Sequence, residues 1–137
     1  MAFAPTAADI TLREGLDGLT PSRIATLYRR APLLRQTDHA ERLRTAFENT
    51  QLVLTAWHAD RLVGLARVLT DGVQVAYLCD LAVEPDVQGL GIGKLLIDAV
   101  MERCKGTELV LRDSNLSAGF YEHLGFEPID NGWVRQA

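Results

Sequence analysis

Between the apolar run Val75–Val83 and the amphipathic run Leu95–Arg103 lies Gln88-Gly89-Leu90-Gly91-Ile92-Gly93-Lys94, a stretch in which every second residue from Gly89 to Gly93 is glycine. Strand-like sequence before it and helix-like sequence after it require the chain to turn sharply here. Glycine has no Cβ, so the backbone can turn tightly and bring several N–H groups against one anion. The positive end of the following helix dipole adds to the attraction. Such a cradle suits a diphosphate, which means a ligand with a phosphate-rich tail. Lys94 either adds charge beside it or is a solvated first-turn lysine.

Two familiar phosphate loops do not fit. A Walker-type loop would place Gln88 at its first glycine and Leu95 at the magnesium-binding hydroxyl. A dinucleotide fingerprint read from Gly89 and Gly91 would place Lys94 at its third glycine. What remains is Gln88-x-x-Gly91-x-Gly93, preceded by Asp80-Leu81-Ala82-Val83-Glu84-Pro85. This pattern resembles the coenzyme A signature of the GNAT superfamily of N-acyltransferases. Downstream, Asn115 to Phe126 is similar to that family's Asn-x-x-Ala-x-x-Phe-Tyr-Glu-x-x-Gly-Phe segment. Here one residue, Gly119, separates Ala118 from Phe120, which displaces the alanine by a position. The two segments span Asp80 to Phe126; the N-terminal part is similar to the family only in its order of elements.

The resemblance implies an α/β (α+β) fold with a GNAT-like mixed, mostly antiparallel central sheet of six to seven strands, flanked by about four helices. It also implies a splay between the fourth and fifth strands that admits pantetheine. Acetyl-CoA or coenzyme A would then be the co-substrate, with no metal. Leu81, Ala82 and Val83 would lie along the pantetheine, Gln88, Gly89, Leu90, Gly91, Ile92, Gly93 and Lys94 around the diphosphate, and Asn115 would be either a cofactor contact or a plain helix cap. Tyr121 takes the place of the family's general acid, and dimerisation is open by the same analogy.

At 137 residues and 47% hydrophobic content the chain has the size of one domain, 1–137, and can bury a core without disulfides. A formal charge of -4 and the lack of a dense Lys/Arg stripe disfavour nucleic acid as a partner. Cys79 and Cys104 sit in apolar runs rather than in a metal-like spacing, as expected of reduced thiols in a cytoplasmic protein. His39, His58 and His123 show no metal-ligand spacing. No signal-peptide pattern and no apolar run near ~20 residues is present, so no membrane association is expected.

Ile10–Glu14 reads as a first strand, and Thr20-Pro21 as the capped start of a helix to Arg30. Asp38 is expected to cap a second helix reaching about Asn49, with Glu41 completing a capping box. Gln51–Trp57, Leu62–Leu69 and Val73–Val83 form an antiparallel meander through two short turns. A helix from Gly91 to Cys104 then returns the chain to a parallel fifth strand, Glu108–Arg112. Ser114 or Asn115 caps a short helix, and Phe126–Asp130 with Trp133–Arg135 make a terminal hairpin around Asn131-Gly132.

With acetyl-CoA as the co-substrate that the resemblance implies, direct transfer of acetyl to a primary amine in a ternary complex is expected, with a small molecule favoured as acceptor. A thiol near pKa ~8.5 and a tyrosine near ~10 let Tyr121 polarise or protonate the departing sulfur without a large pKa shift, unless its hydroxyl is merely satisfied in the core. An alkylamine with pKa ~10.4 must lose a proton before it attacks. Asp80 is either the base for that step or a carboxylate paired with an arginine. Strict alternation puts it on the opposite face from Tyr77 and Cys79, although a bulge would redirect it. Glu41, Glu122 and His39 are weaker candidates for the base. Two other readings share the sequence: a catalytically silent acyl-CoA-binding module, which would need no Tyr121, and a peptide or protein N-acetyltransferase, which would need an open groove.

Overall fold

The computed structural model describes residues 6–113 and 119–137. Five strands form one sheet in the order β1-β2-β3-β4-β5, with β1 spanning Ile10–Glu14, β2 Leu52–His58, β3 Arg61–Thr70, β4 Val75–Val83 and β5 Glu108–Leu111. The first four run antiparallel as a meander and β5 joins β4 in parallel. That parallel step needs a crossover, which α3 (Ile92–Arg103) supplies. Helices α1 (Pro21–Arg30) and α2 (Ala40–Glu48) precede β2, and α4 (Phe120–His123) follows β5.

The sheet separates two apolar layers. On one face Ile92, Leu96, Ile97 and Val100 of α3, spaced as one helical stripe, are buried against Leu54, Ala56, Ala66 and Leu78. Burying those four side chains contributes roughly 6–12 kcal/mol as an upper bound. On the other face Ile24, Leu27 and Tyr28 of α1 and Leu43 and Phe47 of α2 pack on Val53, Trp57, Leu65 and Ala82. The Trp57 indole N–H donates to the Thr55 hydroxyl at 2.7 Å, which satisfies that buried donor within the layer.

Helix α1 begins as expected, with the Thr20 hydroxyl accepting from the Arg23 amide at 3.1 Å and Pro21 in the first turn. The start of α2 differs. Its N-cap is His39, which makes no side-chain cap, and Asp38 lies one residue outside with Glu41 out of capping-box phase. Expected sheet size also needs correction, because the described residues contain five strands rather than six to seven. The terminal hairpin around Asn131-Gly132 is absent: residues 126–137 carry no strand. The Phe126 amide instead donates to the Tyr121 carbonyl at 3.0 Å and closes the end of α4. Pro128 lacks an N–H to offer a ladder. The short helix has Gly119 as its N-cap, and the expected caps Ser114 and Asn115 lie outside the described residues.

Two features of β4 shape the site. It pairs with β5 only from Val75 to Leu78, so its last five residues, Cys79–Val83, run on without that neighbour. Beside the point of separation the register with β3 shifts: Val68 faces Leu78, but Arg67 faces Asp80. Cys79 is thus the extra residue of a bulge, and the side-chain alternation changes phase across it. Ala76 and Leu78 point into the α3 layer, whereas Asp80 and Ala82 point into the α1/α2 layer.

Candidate active site

A cleft of about 850 Å³ opens where β4 and β5 part, with Leu81 and Val83 on one wall, Leu111 on the other, and the Gln88–Lys94 turn at one end. Past the bulge, backbone groups of β4 alternate between the two sides. The Glu84 amide donates to Val63 of β3 at 2.8 Å, so the amides of Val83 and Leu81 face the open side. The Gln88 side-chain amide donates to the Val83 carbonyl at 3.4 Å, consistent with that direction. Among the described residues these two amides have no backbone partner, and backbone left so is costly unless a polar group fills the gap. A ligand carrying amide groups is such a partner.

The turn is built as an anion site. Gly91 is the N-cap of α3 with φ +79°, a left-handed conformation that other residues adopt only with strain. The first helical bond runs from the Leu95 amide to the Gly91 carbonyl at 2.9 Å. The amides of Ile92, Gly93 and Lys94 therefore lack intrahelical partners, as at every helix start, and Gly91 brings no side chain to cap them. Gly93 serves a different purpose: a Cβ there would sit 3.1 Å from Phe120 Cζ, so glycine lets the first residue of α4 lie on the first turn of α3. Lys94 pairs with Asp98 one turn along at 2.6 Å, and its ammonium would have to swing back to reach a diphosphate. Leu90 packs against the α3 core layer and helps seat the turn.

Of the expected backbone positions, Leu81 and Val83 line the cleft, whereas the Ala82 side chain is buried on the opposite face beneath α1. Asn115 lies outside the described residues. Tyr121 lines the cleft with Phe120 and is held edge-on by Phe120 (centroids 5.0 Å) and Phe126 (5.6 Å). Burial, with the Asp113 charge adding to it, pushes its phenol up to about 12. With its phenol raised in this way, Tyr121 is protonated near neutral pH and is a hydrogen-bond donor.

Asp80 is 2% exposed and its carboxylate is fully engaged. It accepts from the Tyr28 hydroxyl at 2.8 Å, from Arg35 Nε at 2.6 Å and from Arg67 Nε at 2.5 Å. The bulge redirects Asp80 onto the α1/α2 face, and the paired-carboxylate alternative is the one observed. Burial of Tyr28, with the charge of Asp80 second, holds that phenol well above its ordinary range, so it too acts as a donor. Sequence reasoning missed Arg35, whose Nη2 also donates to the Cys79 carbonyl at 3.0 Å, capping the bulge at the root of the splay. Nothing local marks it, because its partners lie 44 and 45 residues away. Glu84, also unanticipated, is buried and holds Arg30 of α1 at 2.6 Å, fixing α1 to the end of β4.

The description acetyltransferase (GNAT) domain fits residues 24–136 as a family model. The chain belongs to the GNAT acetyltransferase family. Serotonin N-acetyltransferase 2, chloroplastic, of Oryza sativa subsp. japonica is 31% identical over 127 residues, which are 88% of this chain and 62% of that protein. The chain thus spans about three-fifths of the length of this curated relative. Among solved structures, one from Deinococcus radiodurans R1 superposes with a TM-score of 0.80 at 22% identity, covering 98% of this chain and 94% of the other. The aminoglycoside N-acetyltransferase AAC(6')-Iy in complex with CoA gives 0.71 at 19% identity, covering 93% and 94%. At these identities the two structures establish the fold. GNAT acetyltransferases use acetyl-CoA, and the splay, the left-handed glycine cap and the free amides of α3 form a cradle that fits it.

Proposed function

We propose that this chain transfers the acetyl group of acetyl-CoA to a primary amine by direct attack within a ternary complex, and that the acceptor is a small molecule. The observation that carries the reading is one cleft lined by three features: helix-start amides at the turn, the backbone of Leu81 and Val83 on its open side, and Tyr121. Acetyl-CoA supplies the activated acyl group. The amides of Ile92, Gly93 and Lys94 hold its diphosphate. The Leu81 amide polarises the thioester carbonyl, a contribution worth ~3 kcal/mol when one such donor is lost.

Tyr121 donates a hydrogen bond to the departing sulfur. With the phenol at about 12 and a thiol near ~8.5, complete proton transfer from Tyr121 is uphill. Its role is therefore to stabilise developing thiolate charge, and the thiolate's proton comes from the amine through water in the open cleft. Asp80, bound by two guanidiniums and a phenol, would have to surrender charge-assisted bonds to accept a proton. We accordingly assign Asp80 to positioning the acceptor wall rather than to proton abstraction.

A thiol-release assay with acetyl-CoA and a panel of small amines and peptides tests the reading. Turnover on small amines that falls at least ~30-fold in Tyr121→Phe, with CoA affinity retained, is the expected result. Tight CoA binding without turnover on any acceptor would favour a silent acyl-CoA-binding module, and turnover confined to peptides would move the acceptor class.

A further inference from the structure

A second cavity, of about 360 Å³, lies on the α1/α2 side and shares Leu34, Arg35 and Asp80 with the cofactor cleft. The Arg35–Asp80 ion pair is therefore the partition between the two. Three guanidiniums, Arg35, Arg42 and Arg67, border this cavity against one carboxylate, Asp80, leaving it with two net positive charges even with His39 neutral. The whole chain carries -4, so this concentration of cations is not background. Asp80 is already saturated by Arg35, Arg67 and Tyr28. Arg42 has no ion pair among the described residues, while the neighbouring Arg44 is paired with Glu41 at 3.6 Å. Arg35 spends Nε on Asp80 and one Nη on the Cys79 carbonyl, and its side chain is 42% exposed, which leaves donors on its outer edge. Helix α2 also starts at this wall without a side-chain cap at His39, and its dipole adds to the same positive field.

Beyond the charged groups and His39, the polar side chains of the lining are Gln36 and Tyr28, whose hydroxyl is already given to Asp80. Leu34, Leu43, Ala46 and Phe47 contribute to the walls, with Arg67 stacked over the Phe47 ring at 5.5 Å. A cationic amine without a compensating acid would meet repulsion here. An amine that also bears an anion would be drawn in by its anion and would present its nitrogen past Arg35 toward the cleft.

We propose that this cavity is the acceptor's anion pocket: the amine acetylated by this chain is an amino acid, its carboxylate held by Arg42 and the outer edge of Arg35. The inference rests on the acetyl-transfer reading and narrows its substrate class. A planar two-oxygen group matches the guanidinium fork. Arg42 is then a specificity-determining residue, and the Arg35–Asp80–Arg67 cluster holds the pocket against the cofactor cleft.

The test compares α- and ω-amino acids with their primary amides and with phosphoethanolamine, using thiol release from acetyl-CoA and, separately, calorimetric binding of N-acetyl amino acids to the CoA complex. The amino acids should exceed their amides in kcat/KM by about tenfold or more, as expected for loss of one charge-assisted contact. In Arg42→Ala that ratio should fall toward one, mainly through KM; Arg42→Lys should restore part of it, and Arg44→Ala should leave it unchanged. Amides used as well as acids, a preference for phosphoethanolamine, or an Arg42→Ala ratio equal to wild type would each overturn the proposal. Absence of turnover on every amine, with N-acetyl amino acids still bound in an Arg42-dependent way, would sink the acetyl-transfer reading and leave the anion pocket standing. Absence of that binding overturns the pocket itself.

Discussion

Arg67 on β3 and Asp80 on β4 are register partners beside the Cys79 bulge, and the carboxylate they share with Arg35 ties the α1–α2 connection to the centre of the sheet. The pair joins fold to site: the bulge that lets β4 leave β5 is the same irregularity that turns Asp80 toward the arginines.

Removing that carboxylate leaves the largely buried Arg67 without its ion-pair partner. Asp80→Asn should lower unfolding stability by about 3 kcal/mol, the scale for breaking a buried pair from one side, as measured by urea denaturation. Loss of turnover should follow loss of stability and of the acceptor wall. A fully stable Asp80→Asn protein that has lost turnover alone would instead point to direct proton abstraction by Asp80.

Tyr121 provides a pH signature. Its folded pKa, about 12, lies above the unfolded value near ~10. The folded state therefore holds the proton more tightly, and the stability this contributes is complete below pH ~10 and is lost as pH rises toward 12. Phenolate absorbance should show one tyrosine titrating near 12 that disappears in Tyr121→Phe. The pH–rate profile should show no decline assignable to this phenol below pH 10, and a Tyr121-dependent decline at pH 8–9 would contradict the role given to it.

Two glycines of the turn should fail differently. Gly91→Ala forces a left-handed φ on alanine with open space around the Cβ, so it should cost on the order of 1 kcal/mol in stability and weaken CoA binding. Gly93→Ala gains helix propensity but presses on Phe120 at 3.1 Å. It should displace Phe120 with the adjoining Tyr121 and lower kcat more than it weakens CoA. Calorimetry beside steady-state kinetics separates the two, and equal effects on both quantities in both variants would contradict this division.

Much of the sheet was legible because β-branched runs broken by short polar turns leave few alternative pairings, and β1 and α1 begin and end where the sequence indicates. The cofactor side was legible for a related reason, since its binding groups are backbone amides placed by glycines that are contiguous in sequence. The acceptor side was not. Tyr28, Arg67 and Asp80 come from three elements and Arg35 from the α1–α2 connection, and the Cys79 bulge, invisible to strand alternation, brings Asp80 to them. The tail misled because Asn131-Gly132 is a good turn sequence, yet Phe126 is used to close α4, and Trp133 is left 99% exposed.

The central claim is that diphosphate and pantetheine are gripped by main-chain amides of this cleft, and amide chemical-shift mapping during a CoA titration of the isotopically labelled protein tests it most directly. The largest perturbations should fall on Leu81, Val83 and Gly89 through Lys94, saturating together with one affinity. Saturable binding that leaves those amides unmoved, or no binding at millimolar CoA, would contradict the account.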